Sequence, residues 1–468
     1  MLFSSMTFLF VFMPLVMAVY FLSKKEIRNY VLLIASIIFY AWGEPRYLAI
    51  MIITILVNYA GAILLDKHYS SRQRLWIVSL TIVLDLSFLF YFKYFNFVVD
   101  NINGVLATDF QLLDVIMPIG ISFYTFQAMS YLIDVYRREV PAQKDVYKLA
   151  LYIVLFPQLV AGPIVKYHDV CEQIDNRTIE FKNVIIGFKR FITGLAKKVL
   201  IANTLAEVVD KIFAQAPENL TTGVSWMGAV AYCLQLYYDF SGYSDMAIGL
   251  GLMFGFRFLE NFNYPYISKS ITEFWRRWHI SLATWFKLYL YIPLGGNRKG
   301  AVRTYWNLFA VFLVTGIWHG AAWSYVAWGI WNGIFIVIER FFGLDKDKND
   351  RWYVSAAKHV YAFFAIVWGM IIFRAESLSY AYEYICRMLH IDVTKHLPDY
   401  DYGVNNKFAI MLIVGLICAM PVCRNLIYIK YERKVQRTLV NIWLFLLFFW
   451  STISLAASTY NPFIYFRF

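Results

Sequence analysis

Long apolar runs recur along the chain at 8–22, 30–42, 48–65, 75–92 and 119–135, and again at 147–160, 222–240, 306–317, 322–338, 353–373, 408–422 and 439–456. A helix crosses the hydrocarbon core of a bilayer with about 17 to 25 apolar residues, since no water is present there to satisfy its backbone. The pattern predicts an all-α polytopic membrane protein of about eleven or twelve passes, with shorter or re-entrant helices between them. The first run has no positive region before it and no small-residue cleavage site, so it reads as a retained helix rather than a signal peptide. Lys24, Lys25 and Arg28 follow it, which places the N-terminus outside and Lys24 in the cytoplasm. Lys67, Arg72 and Arg74, then Arg137 and Arg138, and finally Arg424, Lys430, Arg433, Lys434 and Arg437 agree with that orientation, and the last helix then leaves Phe468 on the external side.

Composition supports the same class. Of 468 residues, 60% are hydrophobic and 16% charged, whereas a soluble surface needs about 25 to 35% charged residues. The formal charge of +12 invites a nucleic-acid reading. Its basic residues, however, sit at the ends of apolar runs, where topology and anionic lipid explain them, so no nucleic-acid partner is expected. The five cysteines are scattered, with neither a disulfide framework nor a zinc spacing.

No linker or low-complexity tract divides the chain, which reads as one membrane domain over 1–468 with an external aromatic tail at 458–468. No repeat is apparent, and this counts against a secondary transporter. Residues 345–351 read as a cytoplasmic loop and 394–407 as an external one. Within the apolar middle third, Met117-Pro118-Ile119-Gly120, Phe156-Pro157-Gln158-Leu159-Val160-Ala161-Gly162-Pro163 and Tyr237-Tyr238-Asp239-Phe240-Ser241-Gly242-Tyr243-Ser244-Asp245 bring in Pro, Gly and carboxylates. Broken backbone at membrane depth survives only where protein or a water-filled cavity satisfies it, so a protein-lined cavity is expected.

Residues 305–338 contain no Asp, Glu, Lys or Arg, yet include His319 in Trp318-His319-Gly320-Ala321. An ionisable group at that depth points to function. Two readings fit: a general base at the bottom of the cavity, or a polar contact between helices. Trp318, Trp323, Trp328 and Trp331 either line the same site or pack helices. A second histidine, His279, follows Phe274-Trp275-Arg276-Arg277-Trp278. The pair lacks a His-x-x-x-His spacing or a positioned carboxylate, so no metal site is expected. Arg276, Arg277, Lys287 and Arg298, with Lys299 and Arg303, concentrate positive charge around His279; they either hold the phosphates of an anionic donor or extend to lipid headgroups. Asp239 and Asp245 suit a cavity wall or a solvated helix end. The chain closes on Asn461-Pro462-Phe463-Ile464-Tyr465-Phe466-Arg467-Phe468, which is either an interfacial anchor or the carrier of a nucleophile. The phenol of Tyr465, with an ordinary pKa of about 10, is acidic enough for an imidazole to activate, and an aryl ester remains a reactive acyl donor.

Taken together, the segments 156–163 and 237–245, Asn261-Phe262-Asn263-Tyr264-Pro265-Tyr266, the run 274–298 and residues 318–333 resemble the membrane-bound O-acyltransferases, in their bacterial branch concerned with alginate O-acetylation. The resemblance spans most of the chain, and 274–298 is its most specific part. It implies that His319 is catalytic and His279 the second signature position. Tyr465 matches a terminal tyrosine that carries the acyl group, a motif found on a small partner subunit in the D-alanylation relatives. The resemblance further implies a helical ring around a tunnel between a cytoplasmic donor side and an external acceptor side. Asn332 stands where relatives can carry histidine. The expected activity is O-acetyl transfer from acetyl-coenzyme A, with no permanently bound cofactor, in a bacterial cytoplasmic membrane. Arg276, Arg277, Lys287 and Arg298 would meet the donor's phosphates, and an extracytoplasmic esterase-like transferase would pass the acetyl group to a cell-surface polysaccharide. The alternatives are D-alanyl transfer to teichoic acid and a non-catalytic glycan or lipid transporter.

Overall fold

The computed structural model describes residues 1–67, 70–160, 162–344, 350–390, 400–423, 434–458 and 460–463. Among them there are helices, turns and extended segments but no strand. Tyr465 and the rest of 464–468, residues 345–349 and 394–399 of the two expected loops, Ala161, and the basic residues Arg424, Lys430 and Arg433 lie outside the described residues. Among the described residues, four helices are long and apolar enough to cross a membrane: Pro45–Asp66, Ser71–Leu106, Trp352–Arg374 and Val435–Ala457. Phe8–Leu22 and Asn406–Cys418 are shorter apolar helices. Along Val435–Ala457, Leu439, Ile442, Trp443 and Phe445 are exposed, the outward apolar face that lipid requires. The chain is a membrane protein.

Two of the expected runs take another form. The run 119–135 becomes helix Ile121–Tyr136, buried at nearly every position, including Ser122, Thr125, Gln127, Ser130 and Asp134. Hydropathy reads how apolar a helix is, and protein surrounds this one as effectively as lipid would. The run 147–160 splits into Val146–Val154 and Phe156–Leu159, with Leu155 outside helical geometry at ψ 111°. Pro157 has no N–H to continue the ladder. The freed N–H of Phe156 instead donates to Ser36 Oγ at 3.0 Å.

The described chain divides into two compact units, Met1–Phe191 with Ser244–Leu259, and Ile192–Tyr243 with Glu260–Phe468. In the first, helices Leu48–Asp66 and Ser71–Leu89 share a buried polar pair: Asn58 Nδ2 donates to both carboxylate oxygens of Asp85, at 2.9 and 3.0 Å. Arg190 meets Asp245 at 2.8 Å in the same unit.

The second unit contains the hairpin of Ala301–His319 and Trp323–Phe342. Its two helices touch backbone to backbone because glycine occupies the crossing. A Cβ on Gly316 would lie 2.4 Å from the Tyr325 carbonyl oxygen, and one on Gly329 would lie 2.6 Å from that of Phe312. Small residues at a crossing allow this approach in membranes, where helix association rests on packing rather than on the hydrophobic effect. Gly316→Ala is therefore expected to cost roughly 1–3 kcal/mol, the scale of core overpacking. Gly223→Ala is the control, since nothing lies within 4 Å of its Cβ position. Thermal melting of the detergent-purified protein checks this: only the Gly316 variant should melt early.

Candidate active site

His279 sits between two seven-residue helices, Ile271–Arg277 and Ile280–Phe286, with φ 45° and ψ 52°. The left-handed region is sparsely used by residues other than glycine and persists only where the surroundings enforce it. Asn261 does so here. Its carbonyl accepts from Ile280 N at 2.9 Å. Its side-chain Oδ1 accepts from Ser281 N at 3.1 Å and Ser281 Oγ at 2.9 Å, and lies 3.2 Å from His279 Nδ1. The Ser281 amide can only donate, so it is the Asn261 oxygen that faces the imidazole, and this acceptor favours the tautomer with the proton on Nδ1, where Ser281 Oγ also lies 3.4 Å away. In a neutral ring the other nitrogen then holds a lone pair. Nε2 of His279 is buried, with no hydrogen-bond partner among the described residues.

Helix Trp323–Phe342 fixes the segment leading into His279. Glu339, fully buried, accepts from Ile271 N at 2.5 Å and Thr272 N at 2.8 Å, and Tyr361 donates to it at 3.0 Å. These are orphan amides of a helix N-terminus, where the helix dipole also favours a carboxylate. About two turns earlier on the same helix, Asn332 Oδ1 accepts from Trp275 Nε1 at 3.0 Å while its Nδ2 donates to the Trp328 carbonyl at 2.9 Å. Asn332 thus ties helix Trp323–Phe342 to the helix that leads into His279.

His319 is the last residue of Ala301–His319 and is buried. The ring centroids of Trp318, Trp328 and Phe373 stand 4.9, 5.1 and 5.1 Å from its imidazole, the last two edge-on. Trp328 also packs against Trp275 at 5.5 Å, four residues before His279. Trp328 thus contacts both the His319 imidazole and Trp275 of the helix that leads into His279, while the His279 ring itself meets Phe240 at 4.6 Å. Of the four tryptophans expected near the site, Trp318 and Trp328 surround His319. Trp323 is exposed, and Trp331 instead donates to the Ala365 carbonyl at 2.9 Å.

Arg276, Lys287 and Arg298 are exposed. Arg277 is already engaged: it pairs with Glu273 at 2.8 Å and donates to the Asn263 carbonyl at 3.2 Å. Asp239 is buried and ion-paired to Lys198 at 2.7 Å, which excludes a solvated helix end. No group of three His, Cys, Asp or Glu side chains suited to a metal occurs among the described residues. Sequence reasoning passed over Lys198 and Glu339 and gave Asn261 no role. Lys198 was detectable as a charge inside the apolar stretch Gly194-Leu195-Ala196-Lys197-Lys198-Val199-Leu200-Ile201, and Glu339 as the acid closing the charge-free stretch. An asparagine in a loop carries no such signal.

The sequence profile of the membrane-bound O-acyltransferase family matches residues 34–377. The chain is similar to the probable alginate O-acetylase of Pseudomonas putida, with 43% identity over 504 aligned positions covering all of both proteins. It is 32% identical to the peptidoglycan O-acetyltransferase of Helicobacter pylori, covering 93% of this chain and 89% of that one. It is also 28% identical to the teichoic acid D-alanyltransferase of Bacillus subtilis, covering 55% and 69%.

Asn261→Ala would leave the Ser281 amide and hydroxyl and His279 Nδ1 without their shared acceptor. Each buried donor left unpaired costs roughly 1–3 kcal/mol. The variant is expected to melt well below wild type, and ¹⁵N spectra of labelled histidine should show the fixed Nδ1–H form of His279 only when Asn261 is present.

Proposed function

Since this chain belongs to the membrane-bound O-acyltransferase family and is an O-acyltransferase, we propose that it takes an acetyl group from cytoplasmic acetyl-coenzyme A and delivers it across the membrane for O-acetylation of a cell-surface polysaccharide. The observation that carries this reading is the presence of two buried histidines, each set among aromatic rings, in a chain similar over its full length to a probable alginate O-acetylase. In this proposal the protein resides in a bacterial cytoplasmic membrane. A tunnel within a ring of helices joins the donor and acceptor sides, and the tail at 458–468 is extracytoplasmic.

The donor's phosphates meet exposed cations among Arg276, Lys287 and Arg298, with Arg277 contributing where its pairing to Glu273 opens. His319 accepts the proton of the Tyr465 phenol as its oxygen attacks the thioester carbonyl. A C–O bond forms, the C–S bond breaks, and coenzyme A leaves as the thiol with the proton that His319 returns. General base catalysis of this kind contributes about 10²- to 10⁴-fold. His279, its Nδ1–H committed to Asn261, orients the reacting groups by accepting a hydrogen bond at Nε2. Polarising the thioester carbonyl would require a donor and hence the other tautomer. Water-poor aromatic walls strengthen each of these polar contacts. An extracytoplasmic esterase-like transferase then passes the acetyl group to the polysaccharide.

D-alanyl transfer to teichoic acid is the weaker alternative. The relative with that name aligns with about half of this chain, while the probable alginate O-acetylase aligns with all of it. Family membership also replaces the transporter reading, because the chain is an acyltransferase.

Purified protein is to be incubated with isotopically labelled acetyl-coenzyme A and its C-terminal peptide read by mass spectrometry. We expect label on Tyr465 in the wild type and a loss of roughly 10²-fold or more in His319→Ala. Donor turnover with no label on Tyr465 would remove the tyrosine relay and leave direct transfer. Undiminished transfer by His319→Ala would overturn the assignment of the base.

A further inference from the structure

The beginning of the tail is docked by a buried ionic group. Lys198, in the π-helical turn Lys197–Ala202, is 2% exposed. Its ammonium is ion-paired to Asp239 at 2.7 Å, donates to Asn203 Oδ1 at 2.8 Å and donates to the main-chain carbonyl of Pro462. Three oxygens thus surround the buried ammonium, one in an ion pair and two accepting hydrogen bonds, and one of the two acceptors comes from the tail. Asn203 extends the contact, since its Nδ2 donates to Asn461 Oδ1 at 3.0 Å. Phe463 is buried, its ring 4.8 Å from that of Tyr243 and 5.9 Å from the Lys198 ammonium. Just upstream, the Tyr460 hydroxyl donates to Asp210 at 2.5 Å, and the other oxygen of Asp210 accepts from Arg374 at 2.9 Å. A tail that only anchored at the headgroup zone would need neither a buried cation nor buried main-chain contacts.

The dock and His279 share one helix. Along Thr222–Met253, Asp239 holds Lys198, Phe240 meets the His279 imidazole at 4.6 Å, and Tyr243 meets Phe463. Residues three apart on a helix lie side by side, so the tail is seated one turn from the contact with His279. Two residues of chain extend at most about 7 Å, which bounds the distance of Tyr465 from the seated Phe463.

We propose that Lys198, Asp239 and Asn203 form the docking site for this chain's own C-terminal segment, with Lys198 the positioning residue that sets where Tyr465 is presented. The docking stands independently; its catalytic consequence rests on the acyl-tyrosine reading above. A buried cation satisfied in part by the tail couples seating of the tail to the stability of the ion pair, because an undocked tail leaves that ammonium short of one acceptor.

The test uses the full-length protein in detergent, comparing wild type with Lys198→Met, Asn203→Ala and Asn461→Ala by hydrogen-exchange mass spectrometry and by Tyr465 acetylation from labelled acetyl-coenzyme A. Exchange in the C-terminal peptide is expected to rise roughly tenfold or more, the scale of one hydrogen bond to a charged group. Peptides covering 271–286 and 301–342 should keep their wild-type protection. Tyr465 acetylation should fall in kcat with the KM for acetyl-coenzyme A unchanged, a split that general destabilisation would not produce. Should Lys198→Met fail to fold, Asn461→Ala decides the matter, as it removes only the contact to Asn203 and leaves the acceptors of the Lys198 ammonium in place. Unchanged tail exchange in the folded variants would overturn the docking site. Raised tail exchange in a protein whose Tyr465 is never acetylated, even in the wild type, would retain the docking site and remove the acyl-tyrosine reading instead.

Discussion

The second unit depends on how a single carboxylate is satisfied. Glu339 is fully buried, and a buried charge is tolerated only where donors surround it. Its donors are the first amides of the helix Ile271–Arg277 and the hydroxyl of Tyr361. Through them, helix Trp323–Phe342 grips the segment that leads to His279 and, by way of Tyr361, helix Trp352–Arg374. Because the same helix presents Trp328 to His319 and Asn332 to Trp275, one element orders both histidines. The glycine crossing that holds it against Ala301–His319 explains how His319, at the end of the partner helix, is brought so close to Trp328.

Several carboxylates in the described interior are each held by a fixed partner. Asp239 has Lys198, Asp210 has Arg374, and in the other unit Asp245 has Arg190 and Asp85 has Asn58. Such pairs contribute little net stability relative to apolar packing, but removing one member is strongly destabilising. They therefore act as registration marks, fixing which helix meets which. His279 is held at one of its two ring nitrogens. Its Nδ1 is matched by Asn261, while its Nε2 has no hydrogen-bond partner among the described residues. The positive φ of His279 fits the same account, since backbone strain of this kind is held in place by the contacts around it.

The amino-acid sequence by itself determined the class of the protein. Apolar runs of membrane-spanning length, sparse charge and the 274–298 motif are local properties, and they identified an all-helical membrane protein of the O-acyltransferase family, with His319 and His279 as the residues to examine. Where runs departed from expectation, as at 119–135 and 147–160, hydropathy was correct about apolarity. It had no means of distinguishing lipid from protein as the surroundings, or of weighing Pro157 against a continuous helix.

Tertiary structure alone decided the pairings. That Lys198 meets Asp239 and the chain near Pro462, 264 residues away, that Asn261 orients His279, and that Asn332 receives Trp275 are relations between segments distant in sequence. Side-chain type announces that a buried polar group needs a partner. It does not say which one, because that choice depends on the distances and angles produced when the helices pack.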